Sequence, residues 1–317
     1  MSPALDATVR LPCAPRGDGE IFKDVEEETN VGGKAVNVAR WLALRGAKVA
    51  CGGLLGEDNA RPFEKELAKY GIEDVFVRVP GETRRNEMLT WPGGSVKLNR
   101  TAFPALGKEG RWGSKLELEN GMTQFSNSNS KLGLFSKIGA GDVVVFSGSL
   151  PPAVPKDFYA KAVAHFKSLG CTVVIDASGN AMKLALEAKP DLIKPNVEEC
   201  EALVGFVPKT DEDFKRATAL LREKAVHVII SDGDAGAWFD GGVAAAPKVD
   251  VVDTTAAGDT LLAEYCWRMF DERRDPSEAA RWAVAAGSAA CTMPGGAPPD
   301  ADLVDGLFHG LTNKTPL

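Results

Sequence analysis

The sequence predicts an α/β protein, a doubly wound sheet with a second, small β-sheet standing off it, and three observations carry that prediction. From about residue 140 onward, short β-branched runs alternate with longer amphipathic stretches, the pattern of β-α units wound around a parallel sheet. The segments 7–30 and 83–101 instead carry polar, alternating strand character. A chain of 317 residues with 44% hydrophobic content also has enough apolar material for one large core.

Taken in order, the first part of the chain predicts a helix at about 33–45 and another near 60–70, separated by a glycine-rich strand, Val49–Gly56. Pro92-Gly93-Gly94 supplies a turn between strands at Met88–Trp91 and Ser95–Leu98. The stretch 106–131, rich in Gly, Ser, Asn and charge, reads as a surface excursion. The clearest strands follow at Val143–Ser147, Thr172–Asp176, Leu192–Lys194 and Val226–Ser231. Helices at about 156–169, 180–188, 198–204 and 211–224 each open near a Pro, Asp or Asn that can start or cap them. Right-handed crossovers then distribute these helices over both faces of the sheet. A β-like run at Val249–Val252 and an apolar helix, Leu261–Phe270, complete the pattern, with no internal repeat or long linker.

The net charge of −7 argues against nucleic-acid and anionic-membrane partners, which need a basic surface to release counterions. Anionic small molecules stay open wherever a few Lys and Arg converge. Six cysteines without a C-x-x-C pair, and three histidines, speak against a zinc site or disulfide framework and for buried thiols in a reducing cytoplasm. No apolar run reaches the length of a membrane span, and the first residues do not form a signal peptide. The expectation is a cytoplasmic protein.

The most informative string is Asp253-Thr254-Thr255-Ala256-Ala257-Gly258-Asp259-Thr260, between the run at 249–252 and the apolar helix. A strand, a turn of small residues and a helix start make an anion site, because backbone N–H groups converge at the positive end of the helix dipole. Asp259 then lies beside a bound phosphate, where a carboxylate is costly unless it orients or deprotonates an attacking hydroxyl. The competing reading makes Asp259 a plain helix cap. Gly139-Ala140-Gly141-Asp142 spells a similar run but leads into a strand, so it is assigned to a turn.

A second string, Val31-Gly32-Gly33-Lys34-Ala35-Val36-Asn37, opens a helix with paired glycines and presents Lys34 and Asn37 about one turn apart. Its spacing does not fit a Walker A loop. Two further segments, Lys194-Pro195-Asn196-Val197-Glu198-Glu199 and Ser231-Asp232-Gly233-Asp234-Ala235-Gly236, fall at strand ends, where open α/β sheets bind ligands, and fit a nucleotide. Asn196 and Glu199, three residues apart, can hold a hydrated Mg²⁺ through one of its waters. Taken singly, such segments are more often a helix cap and a glycine turn.

In this order the strings resemble the PfkB/ribokinase family, and within it the phosphosugar branch of 1-phosphofructokinases and tagatose-6-phosphate kinases. The resemblance runs nearly end to end. It includes Pro3-Ala4-Leu5-Asp6, Gly32-Gly33-Lys34 with Asn37, Gly81-Glu82-Thr83-Arg84 with Asn86, Ser147-Gly148-Ser149-Leu150-Pro151-Pro152, Lys194-Pro195-Asn196 with Glu199, and Asp253 through Asp259. It implies one ribokinase-like domain over 1–317, with a lid formed by about 7–31 and 83–104. It implies Asp259 as catalytic base and Ala256, Ala257 and Gly258 as the anion hole. Asp6, Gly33, Asn37 and Asn86 would hold the sugar, while Lys34 and Arg84 face a substrate phosphate. Lys194, Ser231, Gly233 and Gly236 would line the nucleotide site, with Asn196 and Glu199 organising Mg²⁺ through water. ATP and Mg²⁺ are the implied cofactors, with room for a monovalent cation, and the family admits a homodimer through the lid.

Several positions depart from the family pattern. Glycine is usual at the positions of Ala256, Ala35 and Glu264, a lysine at Met88, and an apolar residue at Asp232. The chain also begins near the motif that normally follows the first core strand. The leading expectation is ATP-dependent phosphoryl transfer to a sugar phosphate. Met88 suggests an alternative, a kinase of an unphosphorylated sugar or nucleoside, and the alanines with Glu264 suggest a catalytically weak binding protein.

Overall fold

The computed structural model describes residues 3–100, 138–151 and 154–312, so the excursion expected at 106–131 and Pro152 of the Ser147 motif lie outside the described residues. The chain starts in the small sheet with β1 (Ala4–Arg10) and β2 (Glu26–Gly32), then enters the body through α1 (Lys34–Leu44). It continues through β3 (Ala50–Cys51), β4 (Leu54–Gly56), α2 (Arg61–Lys69), β5 (Glu73–Asp74) and β6 (Val77–Val79). It then returns to the small sheet as β7 (Arg85–Trp91) and β8 (Gly94–Leu98). The small sheet has the order β2-β1-β7-β8, with β1 parallel to β7 and the other pairs antiparallel. The single strand expected at Val49–Gly56 is in fact two, β3 paired with β5 and β4 with β6. The break falls at Gly52-Gly53, where Gly53 has φ 151° and a Cβ on Gly52 would come within 2.9 Å of the Val75 side chain.

The main sheet contains β9 (Val143–Ser147), β10 (Thr172–Asp176), β11 (Leu192–Ile193), β12 (His227–Ser231), β13 (Gly236–Phe239) and β14 (Gly242–Ala245). Its order is β14-β13-β12-β11-β10-β9, parallel from β9 to β12 and antiparallel beyond. Two of the expected strands match residue for residue, and two are one residue shorter. The helices α3 (Phe158–Ser168), α4 (Gly179–Glu187), α5 (Val197–Val204) and α6 (Asp211–Arg222) lie close to their expected places. Alternate strand residues face opposite layers, as period-2 side chains must. Val173, Ile175, Ile193, Val228 and Ile230 pack with Tyr159, Phe166 and Phe214 of the α3–α6 layer. Val174, Leu192 and Ile229 pack with Trp41 and with α7 (Ala257–Cys266), α8 (Pro276–Ala290) and α9 (Ala301–Thr312). With both faces covered, the strands read as continuous apolar runs, which is why the sequence showed them so plainly.

The strand expected at Val249–Val252 does not form. Val251 and Val252 are 62% and 63% exposed, and the N–H groups of Val252 and Asp253 donate to the Cys291 carbonyl. The expected helix Leu261–Phe270 begins four residues earlier as α7 and passes into a π-helical turn, Trp267–Asp271.

Glu264, on α7, is fully buried and accepts four hydrogen bonds: from Trp41 Nε1 at 2.7 Å, Arg45 Nε at 2.8 Å, Arg45 Nη2 at 2.9 Å and Arg268 Nε at 2.8 Å. The Arg268 guanidinium lies 3.7 Å from the centroid of Trp282, whose ring stacks on Phe308. The carboxylate thus stands in a socket built by α1, α7 and α8, which explains how a position where glycine is usual accepts a charge. Among the described residues no helix is long and apolar enough to cross a membrane.

Candidate active site

The polar residues gather where the carboxyl ends of the parallel strands meet the amino ends of α1 and α7. Small residues at 256–258 let α7 start in a tight turn, and that turn is pinned from behind. Asp253 accepts from Thr255 N at 2.9 Å, Thr255 Oγ1 at 2.8 Å and Gly295 N at 3.1 Å. Ala256 is the N-cap and sits at φ 64°, ψ 0°, the left-handed region. Its methyl points toward Gly296, where an added Cβ would lie 3.5 Å away. Beyond it, Ala257 N–H donates to the Thr254 carbonyl at 3.3 Å, and the start of α7 carries the positive end of the helix dipole.

Asp259 is not the cap. It lies in the first turn of α7, buried, and its Oδ2 accepts from Asn37 Nδ2 at 2.7 Å. Burial, and next the charge of Asp176, push its carboxyl up to about 6, against the Asn37 bond and the ammonium groups of Lys34 and Lys194. That value suits a proton acceptor working near neutrality.

Asp176, at the end of β10, is a site residue that no local motif marks. It is fully buried, accepts from Lys34 Nζ at 3.1 and 3.2 Å and from Ser147 Oγ at 3.1 Å, and stands 3.5 Å from Lys194 Nζ. Burial opposes its charged form, but Lys194 and Lys34 outweigh it and hold the carboxyl below its ordinary range. For Lys34, burial is likewise the largest single influence and opposes the charge, but Asp176, Asp259 and Glu199 together hold the ammonium above its ordinary value. The one signal in the sequence is a carboxylate at the carboxyl end of an otherwise apolar parallel strand. Lys194, expected in the nucleotide wall, is buried beside the turn, with Nζ 3.4 Å from where a Cβ on Gly258 would stand.

On the lid, Asp6 and Asn86 are direct neighbours across β1 and β7, and Asn86 Nδ2 donates to Asp6 Oδ1 at 2.8 Å. A Cβ on Gly32 would collide with the Asp6 carboxylate, so glycine there leaves its space. Gly33, at φ 102°, joins β2 to α1. Arg84 follows Thr83, a buried anchor: Thr83 Oγ1 accepts from Gly56 N at 2.8 Å, and Asn59 bonds both its N and its O. Burial holds the Arg84 guanidinium below its ordinary value despite the nearby Asp6.

At the opposite end, Asn196 and Glu199 form a reciprocal capping box on α5, with Glu199 N to Asn196 Oδ1 at 2.7 Å and Asn196 N to Glu199 Oε2 at 3.1 Å. Asn196 bridges to Ser231 at the end of β12. Gly236 has φ 108°, and a Cβ there would reach the Ala244 carbonyl at 2.1 Å, so the turn carrying Gly233 and Gly236 requires glycine. Burial, then Asp234 and Glu198, raise the Asp232 carboxyl.

Replacing Ala256 by Gly removes a left-handed alanine, a conformation that costs an L-residue about 1–2 kcal/mol. The expected result is a higher thermal midpoint with kcat equal to or above wild type. A lower midpoint, the ordinary effect of added backbone freedom in the unfolded chain, would show that the turn holds Ala256 without strain.

A doubly wound sheet with a second, small sheet and this polar cluster at its strand ends is an arrangement that suits an ATP-dependent small-molecule kinase. The chain belongs to the pfkB family of carbohydrate kinases, whose profile matches residues 6–91 and 115–302. It is 32% identical over 304 residues to the 1-phosphofructokinase of Vibrio cholerae, covering 93% of this chain and 89% of that one. Its fold is similar to phosphofructokinase-2 of Escherichia coli, solved in complex with substrates and products, at TM-score 0.82 and 23% identity over 98% of this chain and 97% of that one. Another structure of that enzyme is in complex with potassium. Ribokinase of Arabidopsis thaliana, complexed with ribose and ATP, is similar at TM-score 0.75 and 23% identity, covering 97% of this chain and 96% of that one.

Proposed function

We propose that this kinase moves the γ-phosphoryl group of ATP to a hydroxyl of a sugar phosphate, as the name of its Vibrio cholerae relative suggests, with Asp259 as the base. The observation that carries the reading is the buried Asp259 carboxylate, held by Asn37 in the first turn of α7, at the positive end of the helix dipole. In this reading Asp259 accepts the hydroxyl proton as the oxygen attacks phosphorus, and the turn Ala256-Ala257-Gly258 receives the transferred group on its amides. Asp6, Gly33, Asn37 and Asn86 hold the sugar, and Lys34 and Arg84 its phosphate. Lys194, beside the anion turn, lines the nucleotide site together with Ser231, Gly233 and Gly236. Asn196 and Glu199 each spend one oxygen on the capping box, and Glu199 Oε1 is left to accept from a metal-bound water. Asn196 and Glu199 would hold Mg²⁺ there through water, and the ion would supply charge neutralisation to the phosphates.

One observation favours a phosphorylated sugar despite Met88. Lys97 of β8 is directly opposite Met88 of β7, and directly opposed side chains share one face of a sheet. An ammonium is therefore presented beside the position where the family's lysine is lost. A monovalent cation also belongs to the proposal, without residues assigned to it. We further propose one domain, with the lid at about 7–31 and 83–104, of which 101–104 lie outside the described residues. A homodimer through the lid would use β8, where Val96 and Leu98 are 46% and 45% exposed. Unpaired cysteines fit a reducing cytoplasm.

A coupled assay of ATP consumption over fructose 1-phosphate, fructose 6-phosphate, tagatose 6-phosphate, free hexoses and nucleosides tests the reading. Turnover is expected with a sugar phosphate. Lys34→Ala and Arg84→Ala should each raise its KM, in a manner that depends on salt, because charge-assisted contacts to phosphate are lost. Preferred turnover of a free hexose or nucleoside, or equal effects of both substitutions on phosphorylated and free sugars, would overturn the phosphosugar assignment.

A further inference from the structure

Behind the Asn37–Asp259 bond lies a second set of contacts made by Arg40, one turn further along α1. Its side chain is 5% exposed. Nη2 donates to Asn37 Oδ1 at 2.6 Å and to the Gly296 carbonyl at 3.0 Å, and Nη1 donates to Glu66 Oε1 on α2 at 2.9 Å. Nε is buried with no acceptor. A buried arginine that leaves one donor unsatisfied is held in place by its other contacts. Gly296 belongs to the loop that backs the anion turn, since a Cβ there would lie 3.0 Å from Thr255 Cγ2 and 3.5 Å from Ala256 Cβ. Arg40 therefore ties together α1, α2 and the support of the anion turn.

The chemistry of the pair is one-sided. A guanidinium only donates, so the end of the Asn37 amide that faces it must be the oxygen. The NH₂ end is then directed at Asp259, whatever the protonation state of that carboxyl. Without Arg40 the amide is free to turn over and present its oxygen to Asp259, an oxygen that a carboxylate repels and to which a protonated acid donates.

We propose that Arg40 is a positioning residue for the phosphoryl-transfer reaction: through Asn37 it fixes a hydrogen-bond donor on Asp259, which keeps that carboxylate ionised and aims its second oxygen at the acceptor hydroxyl. The inference rests on Asp259 being the base. The other charged groups facing Asp259 are Asp176 on β10, Lys34 on α1 and Lys194 beyond β11, and none of them touches Arg40. Glu66 reaches the site only through Arg40. With burial raising the Asp259 value, loss of the Asn37 donor moves it further up.

The test compares the pH dependence of kcat/KM in the wild type, Arg40→Met and Arg40→Lys, so that titration of the substrates is common to all. Losing a hydrogen bond to a charged group is worth roughly one pH unit. The acidic limb of Arg40→Met is expected about one unit above wild type. Its rate should be about fivefold low at pH 6 and recover by pH 9. Arg40→Lys still offers only donors to Asn37, so its limb should stay at the wild-type position even if the rate falls. A limb of Arg40→Met that does not move, with activity reduced equally at every pH, would mean a structural role and overturn the proposal. If Arg40→Met does not fold, the wild type is tested by NMR. The Asn37 side-chain nitrogen, assigned by its absence in Asn37→Ser, should titrate with the midpoint of the limb, and a nitrogen insensitive to that titration overturns the proposal. An active Asp259→Asn protein would instead remove the base itself, a failure separate from an unmoved limb in Arg40→Met.

Discussion

Asp259→Asn is expected to lower kcat by on the order of a hundredfold or more while leaving nucleotide affinity nearly unchanged. The amide keeps the shape of the carboxylate and can still accept from Asn37, so the anion turn is undisturbed. What disappears is the group that takes the proton. In the wild type, kcat/KM should fall as pH drops through about 6, where burial and Asp176 place the carboxyl. The same substitution should stabilise the fold, and only at higher pH. The folded state holds this proton more tightly than the unfolded chain, so the stability it contributes is complete below the usual value of 3.8 and is lost as pH rises through about 6. At pH 8 the buried charge then costs about 3 kcal/mol, because each tenfold gain in proton affinity on folding is worth ~1.4 kcal/mol. Asn carries no such cost, and the thermal midpoint should rise by several degrees at pH 8 and by almost nothing at pH 4. A variant that keeps most of its kcat would sink the assignment.

The largest loss of stability is expected at Glu264. Its carboxylate accepts from Trp41, Arg45 and Arg268, and both arginine side chains are only 9% exposed. Glu264→Ala leaves two guanidinium groups buried without their acceptor, together with an indole N–H. Breaking a buried pair from one side costs about 3–5 kcal/mol, far above what an exposed pair contributes. Arg45 retains Asp305 and Arg268 retains Glu272, both partly exposed partners that soften the loss without replacing the central acceptor. Urea unfolding of Glu264→Ala should show the reduced stability with an unchanged slope. A loss below about 1 kcal/mol would mean that water or the outer carboxylates take over the arginines.

The contrast between what was legible in the sequence and what was not follows from sequence distance. The strands at 143–147 and 172–176 announced themselves because both faces of the sheet are covered and their central residues are β-branched and apolar. The run at 249–252 has the same β-branched character but bonds the end of α8 rather than a strand, and no local signal distinguishes the two fates. β13 and β14 were not anticipated, since glycine and alanine dominate both. In the site, the turn before Asp259 was readable as a local string of small residues. Asp176 was not, because its meaning comes from Lys34, which lies 142 residues away in sequence. Arg40 was hidden in the same way, since its place on α1 reads as an ordinary polar position until Glu66 and the loop at Gly296 close around it. The αL conformation of Ala256 is the strain expected if glycine's turn is kept with a methyl added.

The placing of Asp176 between Lys34 and Lys194 sets the charge balance of the whole centre. Two ammonium groups face Asp176 and, once ionised, Asp259, so the inner cluster of four carries no net charge above pH 6. The ligands it must admit are polyanions. The two lysines of the cluster are thus balanced by its two carboxylates, and the remaining positive potential comes from Arg84, from helix amides and from whatever cation travels with the nucleotide. When Asp259 takes up a proton the cluster gains one positive charge, in the same pH interval in which a phosphate monoester loses its second negative charge. In the proposed mechanism acid conditions therefore remove the base while the attraction between the centre and its ligands stays nearly balanced.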